Sequence, residues 1–223
     1  MQQLVTAGLY LIMFLIFFLI AGAILLKDRS ALSYLFAGSM LSFGLFAGGF
    51  GFFYLDVVED PLLFFIRYGS GEFLIIGSVL FALTGVVTRH GEYYLKNPLL
   101  WATCFCFVLL LDLFRLAYYF APNPDDYTPI LGLMNWLLII PILIAAYYYF
   151  VVARMTPDLT IKRRVYLLVV GSVLACVGLF IYGGALVFLE VLIPIGLVII
   201  IVGLVFSAVV FLARPNVDQN SSA

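Results

Sequence analysis

Seven long apolar runs partition this chain, and nine of its eleven positive charges follow them in a strictly alternating pattern. The runs cover residues 3–26, 31–55, 62–88, 99–121, 129–153, 165–188 and 191–213. Each reaches the roughly 20 residues that a helix needs to cross about 30 Å of hydrocarbon. Helix is the only backbone form open to a single run there, because lipid offers no partner to an unpaired N–H or C=O. Hydrophobic residues make up 65% of the chain and charged residues 10%. Soluble domains average about 45–50% and about 25%, so too few polar groups remain to cover a water-soluble surface.

The connections after the first, third and fifth runs hold Lys27 and Arg29, then Arg89 and Lys96, then Arg154, Lys162, Arg163 and Arg164; Arg214 follows the seventh. The other connections hold Asp56, Glu59 and Asp60, then Asp125 and Asp126, then Glu190, with no Lys or Arg. Basic residues concentrate on the cytoplasmic side of membrane proteins. The expected fold class is therefore an all-α polytopic membrane protein of the cell membrane, with seven transmembrane helices, the N-terminus outside and the C-terminus in the cytoplasm. The whole of 1–223 reads as one membrane domain with a polar tail over 215–223. The first run has a small-residue stretch, Ala21-Gly22-Ala23, but no basic residue before it, and its apolar length exceeds that of a signal peptide. It reads as a retained helix.

An internal repeat is expected. Residues 44–57 (GLFAGGFGFFYLDV) and 178–191 (GLFIYGGALVFLEV) match at six of fourteen positions, with Asp56 against Glu190. Tyr34-Leu35 and Gly38-Ser39 match Tyr166-Leu167 and Gly171-Ser172, with one inserted residue within the match and one after it. Ile75-Ile76 stands against Ile200-Ile201. The halves would be 3–88 and 129–213, running parallel, with 99–121 as the linking helix. The third run carries extra residues around Gly69 and Gly71, where the helix is expected to bend or break.

Four ionisable residues fall inside runs: Arg67 and Glu72 on the third, Asp112 and Arg115 on the fourth. These runs point in opposite directions, so the two arginines share one depth from the outer end and the two carboxylates lie just below. Charges in hydrocarbon are costly and usually mark ion, proton or substrate paths. Two arginines and two acids also neutralise one another, and then they clamp one helix to the next. The expected pairs are Arg67 with Asp112 and Arg115 with Glu72.

Other positions carry weaker signals. Gly44 and Gly48 on the second run, and Gly171 and Gly178 on the sixth, are expected to allow close helix contact. Pro141 and Pro194 are expected to interrupt the fifth and seventh helices. Asn135, an amide deep in the fifth run, and Trp136 beside it are candidate ligand contacts. Tyr93, Tyr94, Trp101, Tyr118, Tyr119 and Tyr147 to Tyr149 read as interfacial aromatic belts. Cys104, Cys106 and Cys176 read as small packing residues; the first two, two apart on a helix, cannot share one ion.

The chemistry that is missing narrows the function. His90 is the only histidine, so bis-histidine haem and the usual zinc and copper sites cannot be assembled. No metal, no cofactor and no catalytic residue is expected, and the chain does not read as an enzyme. No basic stripe stands apart from the lipid-flanking connections, so nucleic acid is not an expected partner.

In helix count, size, orientation and the expected parallel repeat, the chain resembles the 3+1+3 seven-helix group that includes the SWEET and PQ-loop transporters, although it contains no Pro-Gln dipeptide. Arg67-Tyr68 followed by Glu72 is similar to the third-helix Arg-Tyr and counter-ion acid of microbial rhodopsins. Their acid follows the Arg by three residues, against five here. Their retinal needs a lysine in the last helix, and here Lys27, Lys96 and Lys162 all lie in connections, so retinal is excluded. The seven-helix sensor modules of some histidine kinases are also similar in outline. Two functions follow as expectations. One is a small solute or ion carrier with its site in the outer half between the repeats. The other is a non-transporting sensor module or an accessory subunit. Expected partners are the bilayer and either partner membrane subunits or further copies of the chain.

Overall fold

The structure, a computed structural model, describes the backbone over 2–55, 60–119, 128–188 and 192–212, and side chains over 3–55, 69–117, 132–184 and 192–212. It is all-helical: α1 (Gln2–Lys27), α2 (Ala31–Tyr54), α3 (Asp60–His90), α4 (Pro98–Tyr119), α5 (Thr128–Leu137), α6 (Ile139–Met155), α7 (Leu159–Phe188) and α8 (Ile193–Leu212). A short 3-10 turn, Glu92–Lys96, joins α3 to α4. Seven segments are long and apolar enough to cross a membrane, with α5 and α6 together forming the fifth.

Six of the segments close into a ring. α1 packs on α2, α2 on α3, α3 on α6, α6 and α5 on α7, α7 on α8, and α8 back on α1. α4 stands outside this ring, against α3 and α5. Along its described length only Leu111 and Arg115, one turn apart, are buried.

Side-chain bonds identify one end of the bundle as the basic end. The Lys27 ammonium donates to the Leu212 carbonyl, so the C-termini of α1 and α8 meet. The Ala31 N–H donates to Glu92, so the first and third connections lie together. The opposite end, reached by the connections that hold Asp56, Asp125 and Glu190, is called the acidic end here.

Several boundaries follow from local chemistry. α3 runs for 31 residues without a break, about 46 Å at 1.5 Å per residue. The break expected at Gly69 and Gly71 is absent, and Gly71 instead makes room for a neighbouring side chain (below). α3 stops at Gly91, whose φ of 80° is the left-handed conformation that favours glycine. α7 starts six residues earlier than the apolar run, because the Asp158 carboxylate accepts from the N–H groups of Thr160 (2.7 Å) and Ile161 (3.2 Å) and caps it. The fifth segment is interrupted at Leu138, three residues before Pro141. Pro141 thus sits in the first turn of α6, where its missing N–H is tolerated. Pro194 does not interrupt the seventh segment: it lies in the first turn of α8.

The glycines set helix spacing. A Cβ on Gly44 would meet Phe14 and Phe17 of α1 at 3.5 Å, and one on Gly48 would meet Phe14 at 3.0 Å. A Cβ on Gly178 would lie 2.7 Å from the Ile200 backbone nitrogen, and one on Gly171 2.6 Å from the Gly203 carbonyl. These last two place α7 and α8 backbone against backbone.

Buried hydroxyls are satisfied within their own helix or by a neighbouring one, as an apolar interior requires. Ser39 donates to the Gly77 carbonyl on α3 (2.8 Å), Ser78 to Leu74 (2.9 Å) and Ser172 to Leu168 (2.7 Å). Aromatic rings fill the ring of helices at two levels. Toward the basic end, Tyr149, Phe81, Phe36 and Phe211 form a chain across α6, α3, α2 and α8. Toward the acidic end, Tyr10 contacts Phe46, Phe50 and Tyr54.

Candidate functional site

The intramembrane charges meet where α4 lies against α3. Arg115 is 2% exposed and pairs with Glu72, which keeps 25% of its side chain exposed. The pairing depends on a glycine one residue before the acid. A Cβ on Gly71 would fall 2.6 Å from Arg115 Nη2, so the guanidinium lies directly on the bare α3 backbone. Leu111, fully buried one turn earlier on α4, packs into the core beside it. Asp112 follows Leu111, three residues before Arg115 on the same helix.

Arg115 and Glu72 neutralise each other, the condition under which charges persist in a low-dielectric interior. The expected pair of Arg67 with Asp112 involves a side chain outside the described residues.

Asn135 and Trp136, the candidate ligand contacts, belong to a different junction. Trp136 Nε1 donates to the Phe180 carbonyl at 3.1 Å and its indole stacks on the Phe180 ring. A Cβ on Gly183 would lie 2.8 Å from the Trp136 ring and 3.2 Å from Asn135 Cβ. Asn135 is 5% exposed. Both residues therefore pack α5 onto α7. No group of three or more metal-ligating side chains occurs among the described residues.

No protein family, curated protein or solved structure matches the chain. The likeness to the 3+1+3 and rhodopsin-like groups therefore rests on helix number and outline. The site is read from its own geometry.

Two polar contacts escaped the sequence reading. Tyr10 on α1 and Tyr182 on α7 share a buried hydroxyl–hydroxyl bond of 2.9 Å. Thr84 on α3 bonds Tyr149 on α6. Tyr149 had been grouped with its neighbours as part of an interfacial belt, yet it is fully buried while Tyr147 is 64% exposed. Two residues on a helix are separated by about 200°, so one belt-like run serves both lipid and core.

Proposed function

We propose that the chain is a small solute or ion carrier, with its polar site at Glu72, Asp112 and Arg115 in the outer half of the membrane. The basic end is taken as cytoplasmic, which puts the N-terminus outside and the C-terminus inside the cell membrane. The observation that carries the reading is the Glu72 carboxyl, paired with a buried arginine and still a quarter exposed. A carboxyl can take up and release a proton. A charge set serving only as glue has no need of an exposed carboxyl.

The order of helices supports two parallel three-helix halves, α1–α3 and α5–α8. Contacts of α1 with α8 and of α3 with α6 join them, as a two-fold repeat would. The matched glycines refine this reading. Gly38 and Gly171 both face the following helix: their Cβ atoms would meet Leu80 of α3 and Gly203 of α8. Gly44 faces back to α1, whereas Gly178 faces forward to α8. Six residues separate the first pair's α2 members and seven the α7 members, and one extra residue turns a helix by about 100°. The halves thus correspond at Gly38 and Gly171 and are rotated out of phase after the second insertion.

A second reading, a sensor module or accessory subunit without transport, is favoured by Asn135 and Trp136. Trp136 bonds and stacks on Phe180, and Asn135 Cβ packs at Gly183, so both candidate ligand contacts lie against α7.

Purified protein in liposomes decides between them. A carrier driven by this site moves protons or solute across the bilayer, and Glu72→Gln and Asp112→Asn each reduce the rate at least about tenfold, as loss of a positioned proton acceptor does. Flux indistinguishable from empty liposomes, together with stoichiometric recovery of other membrane subunits in mild detergent, would move the assignment to the second reading. Orientation is tested separately: a reporter active only outside the cell is expected to work when fused before Met1 and to be silent when fused after Ala223.

A further inference from the structure

The two halves are joined very differently at their two ends. Toward the basic end the junction is broad. A Cβ on Gly85 would lie 2.6 Å from Ala145 Cα, so α3 and α6 cross with their backbones nearly touching. Beside that crossing Thr84 bonds Tyr149. The aromatic chain Tyr149–Phe81–Phe36–Phe211 crosses from one half to the other and back; Phe36 and Phe211 stack with centroids 3.9 Å apart. Lys27 closes the rim on the Leu212 carbonyl.

Toward the acidic end, α4 rather than α6 occupies the far side, through Arg115 and Leu111. On the near side Tyr10 of α1 meets Tyr182 of α7 through their hydroxyls. Tyr10 is held from behind by its own half, stacked on Tyr54 (5.7 Å, 14°) and edge-on to Phe46. Tyr182 is backed by its own half at Gly196, whose Cβ would lie 2.9 Å from the Tyr182 nitrogen. Each hydroxyl is therefore fixed by one half and satisfied by the other.

We infer that the Tyr10–Tyr182 hydroxyl pair is the latch that closes the bundle on its acidic side, with the Gly85–Ala145 crossing as the pivot. The inference rests on the carrier reading for its purpose, because a site in the outer half must open to the outside. Its geometry stands independently: toward the acidic end the described halves meet through two hydroxyls, with α4 bridging the far side through Arg115, whereas the other end carries an aromatic chain, a backbone crossing and two hydrogen bonds.

The test reads water access rather than transport. Met13, one turn along α1 from Tyr10 and 1% exposed, is changed to cysteine in a background of Cys104→Ser, Cys106→Ser and Cys176→Ser. The full-length protein in liposomes is treated from the outer side with a membrane-impermeant thiol reagent. Tyr182→Phe and Tyr10→Phe each keep the ring and remove the bond, and each is expected to raise the Met13→Cys labelling rate roughly three- to tenfold, the population shift set by one net hydrogen bond. The double variant is expected to label no faster than either single, since both break the same bond. A control cysteine at Ala153→Cys, fully buried toward the basic end, is expected to keep its slow rate when treated from the inner side.

Unchanged labelling in both single variants would overturn the latch. So would an equal rise at Ala153→Cys, which reports general loosening, or a double variant whose effect is the product of the singles. Transport enters only as a separate arm. A labelling rise in protein that moves no solute or proton keeps the latch and removes the carrier reading. Working transport with no labelling rise does the reverse.

Discussion

Replacing Arg115 with methionine is expected to destabilise the bundle by about 3–5 kcal/mol, the usual consequence of removing one partner from a buried charge pair. Arg115 is almost wholly buried, and its guanidinium rests on the Gly71 backbone beside Glu72. Without it, the Glu72 carboxyl loses its ion-pair partner. Thermal inactivation in detergent, followed by size-exclusion chromatography, measures the loss.

The informative companion is the neutral replacement Glu72→Leu/Asp112→Leu/Arg115→Met, which removes the whole set at once. Apolar residues of similar volume often substitute for buried ion pairs with little loss or even a gain. The triple variant is therefore expected to return to within about 2 kcal/mol of the parent. Its flux in liposomes separates the roles. A stable protein with no flux assigns the charges to transport, and a stable protein with full flux makes them a clamp.

The second large effect is steric. Gly85→Ala places a methyl 2.6 Å from Ala145 Cα and 3.1 Å from its carbonyl oxygen, both backbone atoms that no rotamer change can move. Overpacking of this kind costs typically about 1–3 kcal/mol, and Gly85→Val is expected at the upper limit or beyond. Gly22→Ala on α1 is the matched control. A Cβ there has nothing within 4 Å, so the change is expected to be neutral, or stabilising by up to about 1 kcal/mol through helix propensity. The same thermal measurement on both variants checks the pair, and equal losses would show that the α3–α6 crossing is not a close contact.

Element positions were legible because the bilayer restricts the alphabet. Seven apolar runs mapped onto seven segments, since every backbone group in lipid must be bonded within its own helix. The charge site was legible because depth can be counted along a helix. Glu72 and Arg115 lie at neighbouring levels on antiparallel helices, and the structure pairs them. Three features were not legible, each for a physical reason. The apolar run could not show that α7 begins at Leu159, because its first two turns carry Lys162, Arg163 and Arg164; the sign was the capping Asp158, not hydropathy. Gly69 and Gly71 looked like a break because glycine is a poor helix former in isolation, while the Arg115 guanidinium lying against Gly71 gives that residue a packing role. The Tyr10–Tyr182 and Thr84–Tyr149 bonds link residues 172 and 65 positions apart. A uniformly apolar sequence has no periodic polar face to show which way a lone tyrosine turns.

The place of α4 outside the ring has a consequence for how such a chain is written into a membrane. A unit of three passes delivers the polypeptide to the face opposite the one it left. A second such unit appended directly would thread upside down. One further crossing restores the parity, and α4 supplies it while burying little more than Leu111 and Arg115. On the proposed division into halves, it hands the chain back across the bilayer so that the second half enters with the same heading as the first. The charge site rivets that courier helix to α3, Arg115 on one side and Glu72 and Gly71 on the other.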